Sequence, residues 1–169
     1  MINPSHLIDQ AGRLSASSRK GKPRQTDLRR AVSSAYYAVF HALAAAAADT
    51  FVGSSNRNAV SYSLLYRAFE HTQLKRICEA ASRPTLPERY QRSLNVTSFS
   101  DAVQDFAATF VRLQKWRHLA DYDPRERFDA SEVQVAVTLA EDTLKNLDKI
   151  AGAERQLFLA LLLFDVRSQ

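Results

Sequence analysis

Arg112 and His118 set a permanent cation and an imidazole six positions apart in the segment RLQKWRH. A guanidinium grips a phosphate through a fixed fork of donors at any physiological pH, and a histidine exchanges a proton near neutrality. Such a pair could cleave RNA without a metal. Lys115 and Arg117 lie between or beside the two and could add substrate contacts. Asp121 and Tyr122 follow at once. They read first as structural, the carboxylate bonding turn amides and the phenol packing its ring, and second as substrate contacts. The bland alternative for the whole group is a solvated helix end, where cations are favoured by the macrodipole.

Geometry limits the pair. On an ideal helix six positions advance by about 600°, which leaves His118 about 120° around the axis from Arg112. The two can cooperate if the last turn unwinds before Asp121, if the arginine wraps round, or if two copies of the chain share one site.

Other chemistries have no residues to carry them. There is no HExxH, no paired cysteine and no acidic cluster at ligand spacing, so neither a resident metal nor a cofactor is expected. Four glycines in the whole chain leave little material for a phosphate-cradling loop, and no serine elbow occurs.

The elements that must position these residues read as helices. At 169 residues, 46% hydrophobic and 24% charged, the chain has the composition of an ordinary globular protein of one domain, spanning 1–169. Few Gly and Pro and abundant alanine favour long helices. Asn3-Pro4 opens one that runs to about Ser17. After a break at Lys20 to Gln25, a second helix runs from about Thr26 to Asp49, with Leu28, Val32, Ala35, Val39 and Leu43 as its apolar stripe. Gly53 to Asn58 is a turn. Shorter helices are predicted over Ser61 to Phe69 and His71 to Ala81, and Ser93 to Ser98 is loop. A long helix from about Asp101 to Leu119, buried through Phe106, Phe110 and Leu113, carries Arg112 and His118 at its C-terminal end. Asp121 to Pro124 reads as a turn, and Asp129 or Ser131 caps a helix reaching about Ile150. The last helix, within 153–166, contains QLFLALLLF, apolar on every side. Such a helix is buried or paired, and for this terminal segment self-association or a groove on a partner is preferred over packing on its own domain.

The net charge of +5 favours polyanions without requiring one. Arg19, Lys20, Lys22, Arg24, Arg29 and Arg30 crowd into twelve residues opposed only by Asp27. That run is either a solvated loop and helix start or a phosphate-contacting patch. The lone Cys78 and the absence of a secretory signal point to a reducing, cytoplasmic setting. The longest apolar run, Leu157 to Phe164, is too short to span a bilayer, so no membrane is expected as a partner.

Three segments together resemble the HEPN superfamily of small all-helical proteins: Arg112-x5-His118, the Ala120-Asp121-Tyr122 ending, and LRRAVSSAYYAVFHAL with its Tyr36-Tyr37-Ala38 core followed by Phe40-His41. The resemblance covers roughly residues 5 to 150. It implies an all-α up-and-down bundle of four long helices with short inserted helices, assembled as a homodimer in which two arginines and two histidines line one cleft. It implies a metal-independent RNA endonuclease, with attack of a 2'-hydroxyl on the adjacent phosphorus, His118 moving the proton and Arg112 stabilising the phosphate. Such a protein would be a toxin or defence effector, restrained by an antitoxin or a nucleotidyltransferase-type partner. The alternative is a catalytically silent HEPN module that binds a partner protein or nucleic acid. Tyr36, Tyr37, Phe40 and His41 read as bundle core.

Overall fold

The structure, a computed structural model, describes residues 2–16 and 21–166. Arg19 and Lys20 of the basic run, and Ser17, the last residue predicted for the first helix, therefore lie outside the described residues. Within those bounds the chain is all-helical, with eight α-helices in the order α1 (Pro4–Ser15), α2 (Gln25–Phe51), α3 (Val60–Tyr66), α4 (His71–Ala81), α5 (Glu88–Leu94), α6 (Asp101–Tyr122), α7 (Ala130–Leu147) and α8 (Gly152–Phe164). It divides into two compact units, neither continuous in sequence. The first comprises Met1–Ala42 and Thr109–Lys145, the second Leu43–Ala108 and Asn146–Gln169.

The first unit is built from α1, the N-terminal part of α2, the C-terminal part of α6 and most of α7. Asn3 caps α1 as predicted, its side-chain oxygen accepting from the Ser5 amide at 3.0 Å. On α2, Leu28, Val32, Ala35, Tyr36 and Val39 are buried, and Tyr36 meets Phe110 of α6 with ring centroids 5.5 Å apart. Two side chains near the start of α2 fasten the connection between α6 and α7. Gln25 pairs its amide with the backbone of Phe128, donating to the carbonyl at 2.6 Å and accepting from the amide at 3.1 Å. Arg29 donates to the carbonyls of Glu126 at 2.9 Å, Asp123 at 2.8 Å and Leu119 at 3.4 Å. Helix ends leave their last carbonyls without internal partners, and a guanidinium satisfies several at once.

Asp129 begins α7 in a reciprocal cap. Its carboxylate accepts from the Glu132 amide at 2.8 Å and the Ser131 hydroxyl at 2.6 Å, while Glu132 reaches back to the Asp129 amide at 2.9 Å. This is a capping box with Asp as the cap. The Ser131 hydroxyl and the Glu132 amide hold the Asp129 carboxyl below its usual pKa.

In the second unit the C-terminal part of α2 leads to Gly53, which takes φ 97° where the chain turns away from the helix. That left-handed region favours glycine. Tyr62 of α3 donates to Asp49 at 2.9 Å, and Arg57 closes on the same carboxylate at 2.7 Å. The core here is Leu74, Ile77, Cys78, Tyr90, Phe99, Phe106 and the inner face of α8. Burial drives the Cys78 thiol far above its ordinary pKa, which makes it an inert core group.

The all-round apolar α8 buries one face in the core of this unit. Phe158, Leu159, Leu161 and Leu162 are buried, and Phe158 meets Phe99 and Phe106 edge-on at 5.7 and 5.9 Å between ring centroids. Gln73 donates to the Leu162 carbonyl at 2.9 Å and the Leu163 carbonyl at 3.2 Å, closing the helix end. Of its large apolar side chains only Phe164 is exposed. Of the two roles composition left to this helix, packing or association, these contacts supply the first: a hydrophobic helix needs an apolar environment, and its own unit provides one for this face.

Helix α2 is long and apolar enough to cross a bilayer by length and composition alone. Its most apolar stretch is 72% buried inside the protein, as expected of a core helix.

Candidate functional site

Helix α6 does not stop at Leu119. It runs on through Asp121 and Tyr122, where the sequence predicts a turn. The extra residues are held by interactions one turn apart: Arg117 Nε lies 2.9 Å from Asp121 Oδ2, and the rings of His118 and Tyr122 lie 5.1 Å apart. Because the turn stays wound, unwinding cannot bring Arg112 and His118 to one face.

Each sequence-predicted residue occupies a distinct place on this helix. Arg112 is exposed, with its guanidinium 4.5 Å above the Trp116 ring, a cation–π contact along one helix face. Lys115 is exposed. His118 is exposed and borders a shallow depression with Leu119, Tyr122, Asp123, Pro124 and Arg125. Tyr122 presents a largely bare ring, 63% exposed, beside the imidazole.

Arg117 has a different fate. It is half-buried, donates to the Tyr37 hydroxyl and pairs with Asp121. Its guanidinium carbon lies 5.2 Å from the Tyr37 ring centre and 5.5 Å from that of Tyr122. The other Asp121 oxygen accepts from the Ser33 hydroxyl at 2.5 Å. Partial burial opposes the charge on Arg117, yet the Tyr37 hydroxyl and the Asp121 carboxylate outweigh it and raise its pKa. A cation enclosed in this way clamps α2 to α6 inside the first unit. Arg117 and Asp121, predicted as weak substrate contacts, are thus engaged with one another and with α2.

Two neighbours escaped the sequence reading. Arg125 is 92% exposed at its side chain and borders the same depression as His118, which adds a cation to the imidazole and the Tyr122 ring. Ser33 lies one helical turn before Tyr37, and that i, i+4 spacing is the signal that could have joined it to the clamp. Of the basic run, Arg29 is spent on backbone carbonyls and is no phosphate contact, whereas Lys22, Arg24 and Arg30 remain exposed.

Among the described residues no three His, Cys, Asp or Glu side chains converge as a metal site. Compared with known protein families, curated proteins and solved structures, the chain has no match.

Proposed function

We propose that this protein is a metal-independent RNA endonuclease of the HEPN type, acting as a homodimer whose site is assembled from the α6 helices of two copies. One observation carries this reading: Arg112 and His118 both stand exposed on α6 without a carboxylate partner among the described residues, while Arg117, one of the two cations between them, is consumed by the fold. Exposed, uncommitted groups of this kind are what a phosphate and a transferable proton require.

Within one chain the pair faces different directions, so a second copy supplies the missing half. His118 takes the proton from a ribose 2'-hydroxyl as that oxygen bonds to the adjacent phosphorus. The bond from phosphorus to the 5'-oxygen breaks, and His118 returns the proton to that oxygen through a water molecule. The products are a 2',3'-cyclic phosphate and a 5'-hydroxyl. Arg112 stabilises the charge that develops on the phosphate oxygens, the kind of fixed electrostatic contact that dominates many active sites. Lys115, Arg125 and the Tyr122 ring offer contacts to neighbouring phosphates and bases.

A second reading is favoured by the angular separation itself. Arg112 and His118 do not meet in one chain, and Leu113 between them is fully buried. A silent module that binds a partner protein, for example of the nucleotidyltransferase type, would need neither to meet. The test is cleavage of a mixed single-stranded RNA pool in excess EDTA by wild type, Arg112→Ala and His118→Ala. Cyclic-phosphate ends from wild type alone support the enzyme. No cleavage by folded protein, or equal cleavage by all three, favours the silent module.

A further inference from the structure

An imidazole that moves a proton works only when its ring is aimed, and a functional histidine is ordinarily aimed by a hydrogen bond at its other nitrogen. His118 makes no such bond among the described residues. Its ring instead meets Tyr122, one turn further along α6, at 5.1 Å between centroids and 50° between planes. Tyr122 is itself largely exposed, and exposed side chains change rotamer in picoseconds to nanoseconds. Without a further hold, the two rings would swing together.

Arg117 supplies that hold. Its guanidinium carbon lies 5.5 Å from the centre of the Tyr122 ring. The guanidinium is in turn fixed from two helices. On α6 its Nε lies 2.9 Å from Asp121 Oδ2, and on α2 it donates to the Tyr37 hydroxyl. Asp121 is tied to α2 as well, its other oxygen accepting from the Ser33 hydroxyl at 2.5 Å. Ser33 is buried whereas His118 is exposed, so the series is anchored in packed protein at one end and reaches the surface at the other. All of its members belong to the first unit.

We propose that α2 sets the orientation of the His118 imidazole through the series Ser33, Asp121, Arg117 and Tyr122, with Arg117 as the positioning residue. For what the imidazole then does, the inference rests on the ribonuclease reading; for how it is held, it does not. A guanidinium suits the task because it bonds to a carboxylate and a phenol at its edge and stacks on a ring with its face. A lysine keeps the charge but has no such face, so it is no equivalent at a stacked site.

The test compares wild type, Arg117→Lys and Gln25→Ala. The last breaks the paired bonds between α2 and Phe128 and touches neither ring. Two readouts are taken on protein shown to be folded by circular dichroism. One is steady-state cleavage of a single-stranded RNA in EDTA, and the other is the nuclear Overhauser contact between the His118 and Tyr122 ring protons with no RNA present. Displacing a reacting group by about 1 Å costs up to about 10²-fold in rate. Arg117→Lys therefore lowers kcat about tenfold or more, leaves KM within about twofold, and loses the Overhauser contact. Gln25→Ala keeps kcat, KM and the contact. Ser33→Ala, which releases one Asp121 oxygen, moves both readouts in the same direction as Arg117→Lys and stands in for it if that variant does not fold. An Arg117→Lys protein that cleaves like wild type or keeps the ring contact, or a Gln25→Ala protein that loses as much kcat, would overturn the positioning role. Wild type that cuts no RNA would sink the ribonuclease reading alone, since the Overhauser contact decides the positioning without turnover.

Discussion

The guanidinium of Arg117 meets a phenol, a carboxylate and three aromatic rings, whereas that of Arg112, five residues earlier, lies on one indole at the surface. Charge-assisted bonds to a half-buried group are worth more than exposed ones, and removing one partner leaves the others unsatisfied. Arg117→Ala should therefore destabilise the protein by about 2–3 kcal/mol, and Arg112→Ala by no more than about 0.5 kcal/mol. Urea unfolding of both variants checks this, and equal losses would show that the clamp carries no weight. Asp49 gives a second residue-level expectation. The Arg57 side chain lowers its pKa, burial opposes this, and the Tyr62 hydroxyl assists Arg57. A depressed folded-state pKa means that the stabilising contribution is complete above the unfolded value, about pH 4, and is lost as pH falls through the folded value. Asp49→Asn should consequently flatten the acid side of the stability curve below about pH 4 while lowering stability at neutrality. An unchanged acid limb in the variant would contradict the assignment.

Among the elements, α8 shows how a composition that suits an interface can instead fill a core. Phe158 sits against Phe99 and Phe106 with no exposed surface. Phe158→Ala should cost about 3–5 kcal/mol, and Phe164→Ala, at the exposed end, no more than about 0.5 kcal/mol. Thermal and denaturant unfolding measure both. A Phe158 variant that kept its stability but lost association would return α8 to the role of an interface helix. Helices α1 and α4 were legible because their signals are local, Asn3-Pro4 and the apolar spacing of Leu74, Ile77 and Cys78, and the cap of α7 was narrowed to Asp129 or Ser131, of which the structure uses Asp129. Helix α5 was not, since seven residues beginning after Pro87 with one buried aromatic, Tyr90, carry almost no periodicity. The end of α6 was misplaced because Asp121-Tyr122-Asp123-Pro124 has the composition of a turn. Proline restricts only the residue before it, Asp123, and the Asp121 carboxylate is already engaged by Arg117 and Ser33. Arg29 was left open between a solvated position and a phosphate contact because its partners, ninety or more residues away, leave no mark in the local sequence.

For the molecule as a whole, the central claim is that one copy holds an exposed arginine and an exposed histidine on different faces of α6, and that each of two equivalent sites in a dimer joins the Arg112 of one copy to the His118 of the other. In a symmetric dimer each surface patch meets its own counterpart, so an arginine from one copy can serve the histidine of the other. The proposed pair and its separation of about 120° around the axis follow from residue types and spacing, whereas the persistence of the helix to Tyr122 needed the fold. The most direct measurement mixes Arg112→Ala with His118→Ala, allows subunits to exchange, and follows RNA cleavage in EDTA against each variant alone. Random exchange makes half of the dimers mixed, each with one intact site, so activity should return to about a quarter of wild type. If the mixture remains as inactive as its components while exchange is shown to occur, the shared site is contradicted.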